Sequence, residues 1–144
     1  MVEAELATLV KDAPDGSNWI HEIKYDGYRM LCRVAEGSAR MISRNQKDWT
    51  ANFPTIAGAA IRLPLKTAWL DGEVVALDDK GRSSFQALQN ALSASPSADL
   101  AYLVFDLLYL DGFDLRSAKL TERKALLQSL LSSAPANIRY SDHF

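Results

Sequence analysis

The chain has 144 residues, a formal net charge of −2, 48% hydrophobic and 24% charged residues. That length leads us to expect one folding unit with a real core, and no apolar run approaches the ~20 residues of a membrane span. The faintly acidic balance gives no global footprint for nucleic acid, so any basic face must be local.

In chain order, "MVEAELATLVKDAPDG" comes first and lacks the basic start and apolar core of a secretory signal. Cys32 is the only cysteine, which rules out an internal disulfide and suits a cytoplasmic setting; we expect it buried. Between residues 19 and 43, Tyr28, Met30, Cys32 and Val34 alternate with Arg29, Leu31, Arg33 and Ala35, which predicts strands turned at "EGS", residues 36–38. Lys24, Arg29, Arg33, Arg40, Arg44 and Lys47 crowd into the same stretch, and a solvated hairpin accounts for part of that cluster.

Residues 53–62, "FPTIAGAAIR", read as a short helix that ends before Pro64, because proline pushes its predecessor out of the helical region. "AWLDGEVVAL" reads as a strand, "DDKG" as the turn after it, and "SSFQALQNAL" as a helix capped by Ser83 or Ser84. A loop, "SASPSAD", precedes "LAYLVFDLLYL", which is too apolar for a half-exposed strand and is expected at the centre of a sheet. Asp111 and Gly112 make a turn, Ser117 or Thr121 caps a helix running to about Ser132, and "IRYSDHF" opens another strand. Strands mixed with helices without regular alternation predict an α+β fold rather than a doubly wound parallel sheet.

Within "HEIKYDGYRM", Lys24 stands between apolar neighbours and just before Asp26, Gly27 and Arg29. A lysine amine is protonated at neutral pH and reacts only when neutral, so a nucleophilic role requires its surroundings to favour the uncharged form. Ile23 and Tyr25 are expected to supply apolar walls and Arg29 a nearby cation, while Gly27 permits a backbone turn or the close approach of a ligand. By itself, Lys-x-Asp-Gly is an ordinary strand end and turn. With the arginine added, the pattern arises by chance in roughly one chain in several hundred of this length. Downstream, "WLDGEVV" puts Asp71 and Glu73 in an apolar strand, where a carboxylate needs a cation, a metal or a ligand hydroxyl. Phe105 taken alone reads as a core aromatic and Arg44 as a solvated cation able to grip phosphate.

Together and in this order, "EIKYDGYR", "SRNQKDWT", "LDGEVVALD" and "LVFDLLYLDG" resemble the ATP-dependent DNA ligases, most closely the ligase domain of bacterial non-homologous end-joining ligases. "FPTI", "GRSSFQALQ", "LTERKALL" and "RYSDHF" extend the likeness along nearly the whole chain. The resemblance implies an ATP-grasp-like nucleotidyltransferase fold with antiparallel sheets flanked by helices. It also implies ATP as cofactor, with AMP held covalently on Lys24, and Mg2+ or Mn2+. By position, Glu22 would accept from the adenine amino group and Phe105 would stack on the base, with Ile23 beside them. Arg29 would reach ribose or phosphates, Arg44 would steer phosphate oxygens, and Glu73 would meet the ribose or the divalent ion. The implied partners are nicked or broken double-stranded DNA, a Ku-type end-binding protein, and polymerase or nuclease domains of a parent chain in a bacterial, nucleoid-associated setting.

Two departures accompany the likeness. Gln46 stands where the family usually has glycine after "SRN", which is expected to tilt the loop bearing Arg44. Family segments with a metal-binding glutamate, a Lys-x-Lys pair and an OB-fold would follow Phe144, so residues 1–144 read as the N-terminal part of an adenylation domain, weak or inactive alone. Exposed sheet edges are then expected to invite self-association. Two other readings stay open: an RNA-ligase or mRNA-capping nucleotidyltransferase, and a non-catalytic nucleotide- or partner-binding module.

Overall fold

The computed structural model describes residues 2–94 and 100–144. Its elements run β1 (Tyr28–Ala35), β2 (Ser38–Ser43), a 3-10 turn (Thr50–Asn52), α1 (Pro54–Ile61), β3 (Ala68–Ala76) and α2 (Phe85–Ala94). They continue with β4 (Leu100–Leu110), β5 (Phe113–Asp114), α3 (Leu120–Leu130) and β6 (Ile138–Tyr140).

Among the described residues, all six strands belong to one sheet in the order β2-β1-β3-β4-β5, with β6 also on β4. Every pairing is antiparallel except that of β6, whose Ile138 and Tyr140 lie parallel to Tyr102 and Val104. The two tight hairpins follow from turn chemistry. Glu36 and Gly37 (φ 53 and 74) join β1 to β2, and Asp111 and Gly112 (φ 45 and 95) join β4 to β5, as two-residue turns with both central residues left-handed require.

One face of the sheet carries the main core. Met30, Cys32 and Val34 of β1, Leu70 and Val74 of β3 and Tyr102 and Val104 of β4 pack with Phe53, Ile56 and Leu127 from the flanking segments. Cys32 is fully buried, and desolvation pushes its thiol up to about 12, so it is an inert core residue. The hydroxyl of buried Tyr102 lies 2.8 Å from the Met30 carbonyl and 3.2 Å from that of Leu70, which ties β4 to β1 and β3. The opposite face presents Arg29, Asp71, Glu73 and Phe105, and it holds the site described below.

Helix ends match the sequence reading only in part. Ser84 Oγ accepts the Ala87 N–H at 3.2 Å, as expected of a cap for α2. At α3 neither Ser117 nor Thr121 caps: Lys119 is the N-cap residue, without a side-chain cap bond, and the helix ends at Leu130. Most of the expected Ser/Ala loop, residues 95–99, lies outside the described residues. Among the described residues, no helix is long and apolar enough to cross a membrane.

Candidate active site

Lys24 sits in the irregular segment that leads into β1, and what fixes that segment is a glycine. A Cβ on Gly27 would lie 2.0 Å from the Val74 carbonyl oxygen and 2.9 Å from Val75 Cγ1. Gly27 therefore serves close packing against the β3 backbone, neither a left-handed turn nor room left for a ligand. Its N–H donates to the Glu73 carboxylate, and the Asp26 N–H donates to Ser83 Oγ at 2.9 Å. Both bonds hold the lysine-bearing segment over the β3 strand.

Register then decides which side chains meet. Arg29 lies directly opposite Glu73, and Asp71 lies opposite both Leu31 and Asp106. The Arg29 fork turns to Asp71, with Nε–Oδ1 at 3.1 Å and Nη2–Oδ2 at 2.7 Å, and its guanidinium lies 5.4 Å from the centre of the Phe105 ring. Asp71 is 1% exposed, and burial pushes its carboxyl above the usual range despite the pull of Arg29. Arg29 is held more firmly protonated by its bond to Asp71. The carboxylate that burial required to find a partner has found one, which leaves Glu73 for other work.

Glu73 is half-buried. Burial raises its pKa, while the Gly27 N–H, Lys24 and Arg29 pull it back. Lys24 thus stands in the field of Glu73, and its amine makes no hydrogen bond or ion pair among the described residues. Of the two apolar walls expected around Lys24, Tyr25 is half-buried and packs against Val75, Ala101 and Leu103, whereas Ile23 is 58% exposed and Lys24 itself is exposed.

Arg44 follows β2 on an exposed loop and shares a cleft of ≈ 220 Å³ with Arg29, Leu31, Ile42 and Ser43. A second groove, ≈ 340 Å³, runs from Gly27 and Arg29 past Ser43 and Arg44 to Lys47. Gln46 takes φ 61, a conformation that favours glycine. The loop still closes, with Gln46 N–H on the Ser43 carbonyl at 2.8 Å and Ser43 N–H on the Lys47 carbonyl at 2.9 Å, so the departure from glycine is absorbed as strain at one residue. Val2, Glu3, Ala4 and Leu6 line the far wall of the first cleft. Glu5 adds to the negative field at Arg29 and Arg123.

Glu22 lies beside the C-terminal segment, bridged to His143, with His21 and Phe144 exchanging backbone bonds of 2.7 and 2.8 Å. Its carboxylate is ion-paired with Lys124, a residue that sequence reasoning missed. Lys124 is 0% exposed and also donates to the Phe105 carbonyl at 3.1 Å. Its neighbour Arg123 grips Asp106 with bonds of 2.8 and 3.1 Å. The only hint in the sequence was two adjacent cations, of which a one-sided helix would expose at least one.

The structure thus gathers Arg29, Glu73 and Phe105 of β1, β3 and β4 with Lys24 of the segment before β1, joins Arg44 to Arg29 across a cleft, and ties Glu22 to the Phe105 backbone through Lys124. Among the described residues, no three His, Cys, Asp or Glu side chains converge on a metal-sized gap. That donor set fits a magnesium ion carried mainly by substrate phosphates with one carboxylate such as Glu73; it does not fit an all-protein cage.

An α+β sheet with an accessible lysine, a guanidinium, a glutamate and an aromatic ring on one face has the nucleotidyltransferase fold. The family model of the ATP dependent DNA ligase domain matches residues 4–144, and the chain belongs to that family. The chain is 45% identical over 130 residues to the multifunctional non-homologous end joining protein LigD of Pseudomonas aeruginosa, covering 90% of this chain and 15% of that protein. LigD of Mycobacterium bovis is 36% identical over 122 residues, 85% of this chain and 16% of the relative. Among solved structures, the ligase domain of Mycobacterium tuberculosis LigD superposes with a TM-score of 0.71 at 30% identity, covering 87% of this chain and 40% of that one. The structure of mycobacterial DNA ligase D complexed with ATP and MES also gives 0.71 at 30% identity, over 86% and 39%. The chain spans about a sixth of the length of these curated relatives.

Proposed function

We propose that this chain is the N-terminal part of an adenylation domain that activates DNA ends for ligation. Lys24 Nζ, as the neutral amine, attacks the α-phosphorus of ATP. A P–N bond forms as the P–O bond to pyrophosphate breaks, pyrophosphate departs with the electron pair, and the amine's proton passes to solvent. The 5′-phosphate of a DNA break then receives the nucleotidyl group, and a 3′-hydroxyl displaces AMP to seal the strand. Arg29 and Arg44 offset charge on the phosphates, Glu73 meets the ribose or a bound Mg2+ or Mn2+, Phe105 stacks on the base, and Glu22 accepts from its amino group. A divalent ion supplies positive charge that favours the uncharged lysine and stabilises the leaving group.

The observation that carries this reading is the clustering of Arg29, Glu73 and Phe105 beside the segment that bears Lys24, with Lys24 and Glu73 close enough to interact electrostatically. Partnership with a Ku-type protein, a place on the bacterial nucleoid, and self-association through exposed sheet edges are part of the same proposal; a monomer by light scattering at high concentration would count against the last.

Incubation with α-labelled ATP and magnesium is the direct test, run on this chain alone and on this chain supplied with the C-terminal portion of the Pseudomonas aeruginosa ligase domain. An acid-labile label at Lys24, reversed by pyrophosphate and abolished by Lys24→Ala, is the expected result, followed by sealing of a nicked duplex in the supplied form. Labelling by GTP in preference to ATP would move the chain to the capping type. No label in either form would leave a binding module.

A further inference from the structure

Lysine is almost never fully buried, and a buried ammonium persists only where its donors are met. Lys124 of α3 meets all three. It is ion-paired with Glu22 and donates to the carbonyls of Phe105 and Ser141, each at 3.1 Å. Its fourth side faces the Tyr140 ring, whose centre lies 5.1 Å from Nζ. An ammonium has three N–H groups and no acceptor, so this arrangement leaves it no freedom to turn elsewhere.

The partners are not a random set. Glu22 and Phe105 lie 83 positions apart in sequence (105 − 22), on a loop before β1 and on β4, and they share no strand pairing. One nitrogen atom binds both. With Oε1 of Glu22 held by the ammonium, Oε2 remains for an external donor, and the Glu22 side chain keeps 31% exposure to receive it. Lys124 also holds the backbone from which the Phe105 ring projects, so the carboxylate and the ring are fixed relative to each other.

We propose that Lys124 is a positioning residue for purine recognition: its buried ammonium sets the Glu22 carboxylate at the edge of a base lying on Phe105, where it accepts from a 6-amino group. This rests on the reading of Glu22 and Phe105 given above. Lys124 touches no nucleotide. It acts by denying Glu22 other rotamers and by keeping that carboxylate from swinging into solvent. The ligand chemistry selected is a 6-aminopurine nucleoside triphosphate.

The test compares ATP with purine riboside triphosphate, which lacks only the 6-amino group. The readout is the KM of each in Lys24 labelling by this chain supplied with the C-terminal portion of the Pseudomonas domain. Glu22→Gln reports on the underlying reading and Lys124→Met on the inference. If both hold, each substitution cuts the preference for ATP about tenfold, the scale of one well-placed hydrogen bond to a charged group, by raising the KM for ATP more than that for the analogue. A preference lowered by Glu22→Gln but untouched by Lys124→Met overturns the inference and leaves the reading intact. A preference untouched by Glu22→Gln, or no labelling in the parent protein, overturns the reading and the inference with it. An equal rise in both KM values in Lys124→Met marks a purely structural lysine.

Because Lys124→Met removes a buried cation from beneath a carboxylate, unfolding of the variant is a real outcome. The 1H–15N signal of the Lys124 ammonium in the unmodified protein then decides. A shift on addition of ATP and little shift with the analogue supports the inference; equal shifts, or none with either, overturn it.

Discussion

Gly27 and Val74 approach so closely that a Cβ at position 27 would lie 2.0 Å from the Val74 carbonyl oxygen. That contact seats the lysine-bearing segment on β3 and brings the Gly27 N–H to Glu73. Backbone, not a flexible side chain, is what a methyl group would strike. Gly27→Ala is therefore expected to destabilise the fold by about 3 kcal/mol, the upper range of overpacking penalties, and to weaken Lys24 labelling beyond what unfolding explains. Urea denaturation gives the first effect, and labelling measured well below the unfolding midpoint gives the second. A variant as stable as the parent would contradict the contact.

Glu73 carries a cost that the proposed contact with the ribose or a divalent ion would explain. Burial raises its folded pKa above the unfolded value of 4.5, so ionisation at neutral pH works against folding. The sign follows directly. The stability associated with the protonated form is fully present below pH ~4.5 and is lost as pH rises through the elevated folded value. Glu73→Gln, fixed in a neutral form, should be slightly more stable than the parent at pH 7 and equal to it below pH ~4. Its labelling by ATP should fall about a hundredfold, the scale of losing one charge-stabilising group at a reacting phosphate. Thermal melts across pH 3.5–8 together with labelling rates check both. A loss of stability at pH 7 would show that Glu73 is a structural anchor.

The local parts of this fold were written plainly in the sequence, and the long-range ones were not. Alternation across Tyr28, Met30, Cys32 and Val34 named the core face of β1, and two Asp-Gly or Glu-Gly turns marked the hairpins. Lys24, Arg29, Glu73 and Phe105 were legible because their motifs resemble a family, not because periodicity set them apart. Asp71 as the partner of Arg29 depends on a strand register across 42 positions, and Lys124 as the partner of Glu22 on a contact across 102. No local rule reaches that far. Helix α3 shows the same limit: Arg123 and Lys124 are buried while Leu120 and Leu126 are 37% and 41% exposed, an inversion that only the carboxylates of Asp106 and Glu22 explain. The flanks of Lys24 differ for a related reason: Tyr25 packs on Val75, Ala101 and Leu103 while Ile23 faces solvent, since apolar neighbours in sequence need not face the same space.

Gln46 supplies a test of how much strain the Arg44 loop stores. Its φ of 61 costs a side-chain-bearing residue about 1–2 kcal/mol, partly offset because glycine would make the unfolded chain more flexible. Gln46→Gly should therefore stabilise the protein by about 0.5 kcal/mol, on the order of 2 °C in melting temperature. The loop bonds from Ser43 to Gln46 and Lys47 should persist, so Arg44 should keep its place and ATP labelling should change little. Calorimetry with a labelling assay reads both quantities. A lower melting temperature would mean that the Gln46 side chain makes a contribution larger than its backbone strain.

The N-terminal segment competes for the ground on which phosphate is expected to bind. Val2, Glu3, Ala4 and Leu6 wall the cleft that holds Arg29 and Arg44, and Glu5 adds its negative field to Arg29 and Arg123. Leu6 and Leu9 are 55% and 98% exposed, so little apolar burial holds the segment down, and the acidic side chain of Glu5 adds a weak attraction to the guanidinium groups. A triphosphate entering the cleft carries more charge than Glu3 and Glu5 together and would displace them at a modest cost. Removing residues 1–10 should lower the KM for ATP in Lys24 labelling about threefold, and Glu3→Gln with Glu5→Gln should reproduce most of that effect. Salt should shrink the difference between parent and variant, because the competing attraction is screened over a Debye length of ~8–10 Å. An unchanged KM in both variants across 50–300 mM salt would show that the segment yields without competing; a higher KM would show that it helps to build the site.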